Sequence, residues 1–126
     1  GKGAVVKRLT QAVYWYRRAA DNGHSNAACN LGVCYYYGQG VSRNEHTAAH
    51  FFRVAAKQGH AKAQCNLGVC YKKGRGVEKD SRKAKFWYQQ SAEQGDADAT
   101  AALARLLVKA RHPQASSSRG GSVGEG

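Results

Sequence analysis

Apolar residues in the middle of the chain recur four positions apart, which is the spacing that places side chains on one face of a helix. Two such sets lie 36 residues apart, namely Ala27, Leu31 and Tyr35, followed by Ala63, Leu67 and Tyr71. Another run of apolar residues comes between them, at Ala48, Phe51 and Ala55. The pattern predicts helices of two alternating types, which we call first helices and second helices.

The chain aligns with itself at an offset of 36 residues. Residues 19–41 align with residues 55–77, and residues 91–104 continue the same register. A self-match at a fixed period of between about 20 and 50 residues is typical of stacked repeats. Trp15 and Trp87 align as well, and the helical periodicity assigns both to packing between helices.

Glycines and capping residues mark the ends of the predicted helices. Glycines expected to adopt positive φ end the second helices at Gly23, Gly59 and Gly95. A G-x-G sequence connects each first helix to the following second helix, at residues 38–40 and 74–76. N-capping side chains are expected at Asn44, Asp80 and Asp96. Each unit is therefore predicted to be a helix–turn–helix repeat.

The repeated motif resembles that of the Sel1-like repeat family, in which A-x-x-x-L-G-x-x-Y-x-x-G-x-G-V is followed by K-A-x-x-W and A-A-x-x-G. The matching positions of one unit are Ala63, Leu67, Gly68, Tyr71, Gly74, Gly76, Val77, Asp80, Lys83, Ala84, Trp87, Ala92 and Gly95. The resemblance covers residues 1–110. It implies an all-α fold, a right-handed α-solenoid of stacked helix–turn–helix repeats related to the tetratricopeptide class, and a scaffold or adaptor role. About six helices are expected from the period.

The repeat register predicts how the chain is organised. We expect the end of a preceding repeat at residues 1–22 (a turn at 1–6, then a second helix), repeats at 23–58 and 59–94, a capping helix at 95–110 and a flexible Ser/Gly-rich tail at 111–126. Residues 95–110 are assigned to a cap because Ala104 and Leu107 replace the glycine and tyrosine of the motif, as terminal repeats often diverge. The chain is thus interpreted as the C-terminal part of a longer array.

The chain is strongly basic, with 20 Lys and Arg against 8 Asp and Glu and a formal net charge of +12. Nine of the basic residues lie between Lys57 and Lys85. This balance favours acidic partners, including nucleic acid, anionic lipid surfaces and acidic protein segments. No apolar run approaches the length that a membrane span requires.

Four cysteines occur as two C-x4-C pairs, Cys29 with Cys34 and Cys65 with Cys70. Five residues along a helix turn it by about 140°, so the two thiols of a pair point apart and neither a metal site nor a disulfide is expected within a pair. A cysteine-rich bacterial subgroup of the resembled family bridges successive helix pairs, but alanines such as Ala20 and Ala28 occupy those places here. We predict no disulfide and reduced, buried thiols, with a cross-repeat bridge or a metal as the alternatives; reduced thiols favour an intracellular compartment.

No motif in the chain predicts catalysis. His46 and His50 have a zinc-binding spacing, but Thr47 stands where a zinc protease has glutamate, and no third ligand is evident. The G-x-G segments lack the continuation of phosphate-binding loops, and the chain contains no S-x-x-K. We therefore predict no catalytic, cofactor-binding or metal-binding residues and expect the chain not to be an enzyme.

Positions that vary between repeats predict the functional surface, because the repeated positions serve packing. If the first helices line the concave face, as the resemblance implies, the partner-binding residues are Asn26, Asn30, Val33, Tyr36, Tyr37, Lys62, Asn66, Val69, Lys72, Lys73 and Arg105. This surface changes from aromatic in one repeat to basic in the next. It is expected to bind a protein or peptide with an apolar and an acidic portion.

Two other functions are consistent with the sequence. A basic patch could contact nucleic acid through Lys72, Lys73, Arg75, Lys79, Arg82, Lys83 and Lys85. Alternatively, the segment could be purely structural and join other repeats within a larger assembly.

Overall fold

The computed structural model describes residues 1–111, with side chains up to residue 109. This part of the chain contains six helices and no strand: α1 (Lys2–Asp21), α2 (Ser25–Tyr37), α3 (Glu45–Lys57), α4 (Ala61–Lys73), α5 (Ser81–Glu93) and α6 (Ala97–Arg111). Each helix packs against the next one along the chain, so the helices form a linear stack. The prediction of an all-α solenoid is confirmed, with α2, α4 and α6 as first helices and α1, α3 and α5 as second helices. Among the described residues, no helix is both long and apolar enough to cross a membrane.

The predicted capping residues hold the helix N-termini. The side chain of Asn44 accepts a hydrogen bond from the backbone N–H of Thr47 at 3.0 Å. Equivalent bonds are accepted by Asp80 at the start of α5 and by Asp96 at the start of α6. His60 also caps α4 through its side chain, which the sequence analysis did not predict. The predicted positive φ angles are confirmed at Gly23, Gly59 and Gly95.

The Leu-Gly pair of each motif brings the two helices of a repeat close together. The leucines Leu31 and Leu67 are fully buried. A Cβ atom added at Gly32 would lie 2.7 Å from ring carbons of Phe52, and one added at Gly68 would lie equally close to the ring of Tyr88. Because real Cβ atoms essentially never approach so closely, glycine is required for the second helix to pack at this distance.

The G-x-G turns connect one repeat to the preceding one. Gly76 has a φ of 75°, and a Cβ atom there would overlap the carbonyl oxygen of Glu45 in α3. Gly40 has the same φ and would place a Cβ atom 2.5 Å from the carbonyl oxygen of Leu9 in α1. The second glycine of each turn therefore rests on the backbone of the previous second helix.

A hydrogen bond from arginine to tyrosine recurs between repeats. Arg53 of α3 donates to the hydroxyl of Tyr71 at 2.8 Å, and Arg17 of α1 donates to the hydroxyl of Tyr35. Thirty-six residues further on, both partners are replaced, by Gln89 and Leu107. The hydrogen bond is thus a repeated contact, and both of its residues are replaced together in the last repeat.

Two expectations about the N-terminal part of the chain are wrong. Residues 1–6 were expected to form a turn, but α1 begins at Lys2 and continues without a break. Trp15 was assigned to packing, but 62% of its surface is exposed, whereas Trp87 packs against the core. Phe51, which aligns with both, stacks on Tyr35 of its own first helix. Phe51 is covered by the first helix that precedes it in its unit. Trp15 has no such partner, because the first helix beside it, α2, follows α1 and belongs to the next unit.

Other expectations concern the C-terminal segments, the cysteines and the histidines. The helix expected at 95–110 is α6, and most of the expected tail at 111–126 lies outside the described residues. All four cysteines are free and buried. Both His46 and His50 are on the exposed surface of α3.

Candidate interaction groove

Two cavities lie side by side along the first helices. The aromatic cavity, between α2 and α4, has a volume of about 360 Å³ and is lined by Val33, Tyr36, Tyr37, Phe52, Lys62, Asn66, Val69 and Lys73. The basic cavity, between α4 and α6, has a volume of about 320 Å³ and is lined by Cys65, Val69, Lys72, Lys73, Tyr88, Asp98, Ala101, Ala102 and Arg105. Val69 and Lys73 line both cavities, so the cavities are direct neighbours, and we call the pair the two-part groove.

Aromatic rings form one wall and the floor of the aromatic cavity. Tyr36 and Tyr37 meet edge to face with ring centroids 5.0 Å apart. Tyr36 also lies 6.4 Å from the ring of Phe52, which is nearly fully buried. Partial burial raises the pKa of Tyr36, so its hydroxyl remains a neutral donor and acceptor at physiological pH. By contrast, Tyr37 is 65% exposed and offers a large uncovered ring at the mouth of the cavity.

Cationic groups surround the basic cavity, and they are not equally available. Lys62, which lines the neighbouring aromatic cavity, donates hydrogen bonds to Asp96 and Asp98, and these bonds raise its pKa to about 12. Its ammonium lies 3.0 and 3.1 Å from the two carboxylates. Within residues 1–109, no ion pair engages Lys72, Lys73 or Arg105. Three cationic groups are therefore open to an acidic ligand, while Lys62 already has carboxylate partners.

The three predicted asparagines have different surroundings. Asn66 lines the aromatic cavity, and its amide donates to the sulfur of Cys29 at 3.8 Å. The side-chain oxygen of Asn26 lies 2.6 Å from a ring nitrogen of His60, and this contact bridges the starts of α2 and α4. Asn30 is exposed on α2. Neither Asn26 nor Asn30 lines a cavity, so nine of the eleven predicted residues are brought together in the groove.

Two groove residues were missed because they belong to second helices. Phe52 and Tyr88 form part of the groove floor, and they are the rings that pack against Gly32 and Gly68. Their positions are 36 residues apart, so the repeat register contained a signal for them. Both rings fall outside the predicted set because that set was confined to the first helices.

The four cysteine thiols have low reactivity. Burial raises the pKa of Cys29, Cys65 and Cys70 to about 11, and it raises that of Cys34 as well. Since only the thiolate is a good nucleophile or metal ligand, these groups are unreactive near neutral pH. Among the residues that the structure describes, no cluster of three or more His, Cys, Asp or Glu side chains could hold a metal ion.

Comparisons with known proteins agree with this geometry. The model of the Sel1 repeat family matches residues 1–24, 25–60 and 61–96. The last two of these segments are 36 residues long, like the predicted repeats, but begin two residues later. No curated protein matches the chain significantly.

Several solved structures share the fold. One is a protective antigen of uropathogenic Escherichia coli strains displaying an SLR fold, with 38% identity and a TM-score of 0.79 over 80% of this chain and 22% of that one. Another is a Sel1 repeat protein from Oxalobacter formigenes, with 37% identity and a TM-score of 0.76 over 80% of this chain and 42% of that one. Cysteine-rich protein B of Helicobacter pylori, at 24% identity, has a TM-score of 0.69 over 77% of this chain and 71% of that one, which is a likeness in fold.

The family matches cover most of the chain, whereas the chain spans less than half the length of the first two structures. Sel1-like repeat proteins generally mediate protein–protein interactions, and their fold is generally a non-catalytic scaffold. The repeated motif, the paired helices and the family matches together establish that this chain belongs to the Sel1 repeat family.

Proposed function

We propose that the chain is a non-catalytic adaptor that binds an extended segment of a partner protein in the two-part groove. The observation that carries this proposal is that an aromatic and a basic cavity adjoin each other and share Val69 and Lys73 in their linings. Each volume is near the lower end of the range for ligand pockets, about 300–1,000 Å³, which suits single side chains of a peptide.

The chemistry of the groove specifies the bound segment. An aromatic or large aliphatic side chain suits the cavity beside Tyr36 and Tyr37, because burying it there removes apolar surface from water. Acidic side chains suit the neighbouring cavity, where Lys72 and Arg105 have no carboxylate partner among residues 1–109. The expected ligand is therefore an apolar anchor close in sequence to one or more acidic residues.

Asn66 supports an extended ligand backbone in this groove. Its amide nitrogen donates to Cys29, but its side-chain oxygen remains an acceptor, and the amide has a second N–H. The side chain lies in the wall of the aromatic cavity, on the same helix as Val69. A peptide amide that passes Asn66 can therefore exchange hydrogen bonds with it while its side chains enter the cavities.

The test is binding of a peptide library with variants in both cavities. We expect Tyr37→Ala to lower the affinity for the selected peptides by roughly fivefold or more, which is the usual effect of removing an interface anchor. Tyr14→Ala is the matched control, because Tyr14 is also an exposed tyrosine with an edge-to-face aromatic neighbour at 5.0 Å but lies outside the groove. The double variant Lys72→Tyr with Lys73→Tyr should reduce the preference for acidic residues.

Each outcome of this experiment decides the proposal. Selective binding that Tyr37→Ala weakens and Tyr14→Ala does not would support the groove. Binding that ignores both groove variants, or a library from which no peptide is selected, would refute it.

A further inference from the structure

A second row of aromatic residues runs along the second helices, away from the groove. Each second helix carries two adjacent aromatic residues at the same place in the 36-residue register: Tyr14 and Trp15, His50 and Phe51, Phe86 and Trp87. All three pairs meet edge to face, with ring centroids 5.0, 5.1 and 4.9 Å apart. The structure thus repeats one arrangement three times, although the residue types differ.

The fold does not account for the leading member of each pair. Phe51 and Trp87 pack inward, the former on Tyr35 and the latter against the core. Tyr14 and Phe86 remain 53% and 51% exposed, and His50 is also exposed. We call Tyr14, His50 and Phe86 the outer aromatic row. A flat ring at an exposed position of every second helix offers stacking surface that packing within the repeats does not use.

The helices that carry the outer aromatic row are rich in basic residues. The second helices carry ten Lys and Arg, five in α1, two in α3 and three in α5, against three acidic residues. The guanidinium of Arg18 lies 5.8 Å from the ring centre of Tyr14 and 5.9 Å from that of Trp15. By contrast, the first helix α2 has no charged side chain at all.

A third cavity, with a volume of about 340 Å³, opens beside His50 between α3 and the start of α5. Its lining includes the cationic side chains of Arg53 and Lys83, the imidazoles of His46 and His50, and the acidic side chains of Glu78 and Asp80. One carboxylate oxygen of Asp80 is occupied by the backbone N–H groups of α5. Arg53 donates to the hydroxyl of Tyr71, and the ammonium of Lys83 lies 5.5 Å from the centre of the same ring. Two positioned cations therefore face one opening next to the row.

We propose that the outer aromatic row binds single-stranded nucleic acid. Unpaired bases stack on the exposed rings, as they do on aromatic platforms of proteins that bind single strands without sequence preference. Phosphates lie near Arg18 and at the cavity that contains Arg53 and Lys83, where positive charge replaces condensed counterions. The site is distinct from the two-part groove, so this proposal stands or falls separately from the proposed adaptor function.

The form of the row favours a strand over a lipid surface. A bilayer interface takes up a broad apolar face flanked by basic residues. Here the exposed rings are separate, one on each second helix, and the middle one is His50, a polar side chain that lines the same cavity as Arg53 and Lys83. Separate flat rings with cations beside two of them suit a flexible polymer of bases and negative phosphates better than a broad apolar surface.

The experiment is titration of the whole chain with a labelled oligothymidylate at a series of salt concentrations. We expect Tyr14→Ala and Phe86→Ala each to lower the affinity by roughly 5- to 150-fold, because each removes one stacking platform. The salt dependence should stay unchanged in these variants. Lys83→Gln should instead reduce the slope of log affinity against log salt by about 0.7, as expected for one lost phosphate contact on a single strand.

Matched variants in the groove serve as controls. Tyr37→Ala removes an exposed tyrosine outside the row, and Lys73→Gln removes one positive charge there, so neither should lower the affinity for oligothymidylate or its salt dependence as the row variants do. Thermal melting of every variant checks that the chain remains folded.

The opposite pattern would overturn the proposal. This applies if oligothymidylate does not bind, if Tyr14→Ala and Phe86→Ala bind as well as the unmodified chain, or if a duplex of equal length binds as tightly as the single strand. It also applies if vesicles containing anionic lipid bind through Trp15 while the oligonucleotide does not.

Discussion

Replacing Gly76 by alanine tests how tightly successive repeats are joined. This glycine has a φ of 75° and rests on the backbone of α3 at Glu45. An added Cβ atom would overlap the carbonyl oxygen of Glu45 and lie 2.5 Å from its carbonyl carbon and 2.9 Å from the nitrogen of His46. Because all three neighbours are backbone atoms, no side chain can turn aside to relieve the contact.

Comparison with Gly59→Ala separates two contributions to the loss of stability, the backbone conformation and the steric overlap. Gly59 also has positive φ, at 90°, but an added Cβ atom would meet nothing within 4 Å. Its replacement should therefore cost only the left-handed backbone conformation, about 1–2 kcal/mol. Gly76→Ala carries a similar backbone cost, and the turn must also withdraw from α3 by about 1 Å to reach the normal carbon–carbon separation of about 3.5–4 Å. Overpacking adds about 1–3 kcal/mol, so we expect a total of about 2–5 kcal/mol.

Chemical denaturation followed by far-UV circular dichroism measures this difference. Fitting the midpoint and the m-value separately for each variant gives the change in free energy of unfolding. Since each repeat contacts only its neighbours, loosening one interface should also broaden the transition or lower the m-value, and Gly59→Ala should do neither.

A loss of stability in Gly76→Ala no larger than that in Gly59→Ala would refute this reasoning. The turn would then not be held against Glu45, and the second glycine of the motif would serve the turn alone. Gly40→Ala, which meets the backbone of Leu9 in the same way, should repeat the result of Gly76→Ala if the reasoning is correct.

Three further predictions concern polar and thiol groups. Partial burial alone would raise the pKa of Asp96, but hydrogen bonds from the backbone of Ala99 and from Lys62 outweigh it and hold the pKa below 3.8. The stability that Asp96 contributes is therefore present above pH 3.8 and lost as the pH falls through the lowered pKa. The difference in free energy of unfolding between the unmodified chain and Asp96→Asn should accordingly become smaller in acid. A thiol reagent at neutral pH should label the folded chain slowly and all four cysteines rapidly after denaturation, because burial keeps the thiols neutral; rapid labelling of the folded chain would contradict this. Tyr71→Phe should cost about 0.5–1.5 kcal/mol through loss of the hydrogen bond from Arg53, whereas Tyr37→Phe, on an exposed ring, should leave the denaturation midpoint unchanged.

The helices and their ends were predictable because local chemistry determines them. Asn44 and Asp80 cap helices through bonds to backbone groups two or three residues away, and sequence spacing contains that information. The buried leucines follow from helical periodicity in the same way. The 36-residue register then placed most of the groove, because equivalent positions of stacked repeats lie side by side.

Features that depend on a neighbouring repeat could not be predicted so simply. Residues 1–3 resemble the G-x-G turn, but a Cβ atom at Gly3 would meet nothing within 4 Å, whereas Gly76 is held against a preceding helix. Without that contact, the helical propensity of the surrounding residues prevails and α1 extends to Lys2. Trp15 is exposed for a related reason, since the tyrosine that covers Phe51 has no counterpart beside it.

The side-chain pairs between successive first helices affect how such an array can be lengthened. Asn26 with His60 and Lys62 with Asp96 are equivalent contacts, one neutral and one ionic. If the chain is divided after His60, each pair lies within a single 36-residue block. The arginine-to-tyrosine hydrogen bond crosses that division, but it joins the same two residue types wherever it occurs. A duplicated or transposed block would therefore keep both members of its own polar pair, and it would form the arginine-to-tyrosine hydrogen bond with its new neighbour. In this respect the blocks are interchangeable modules.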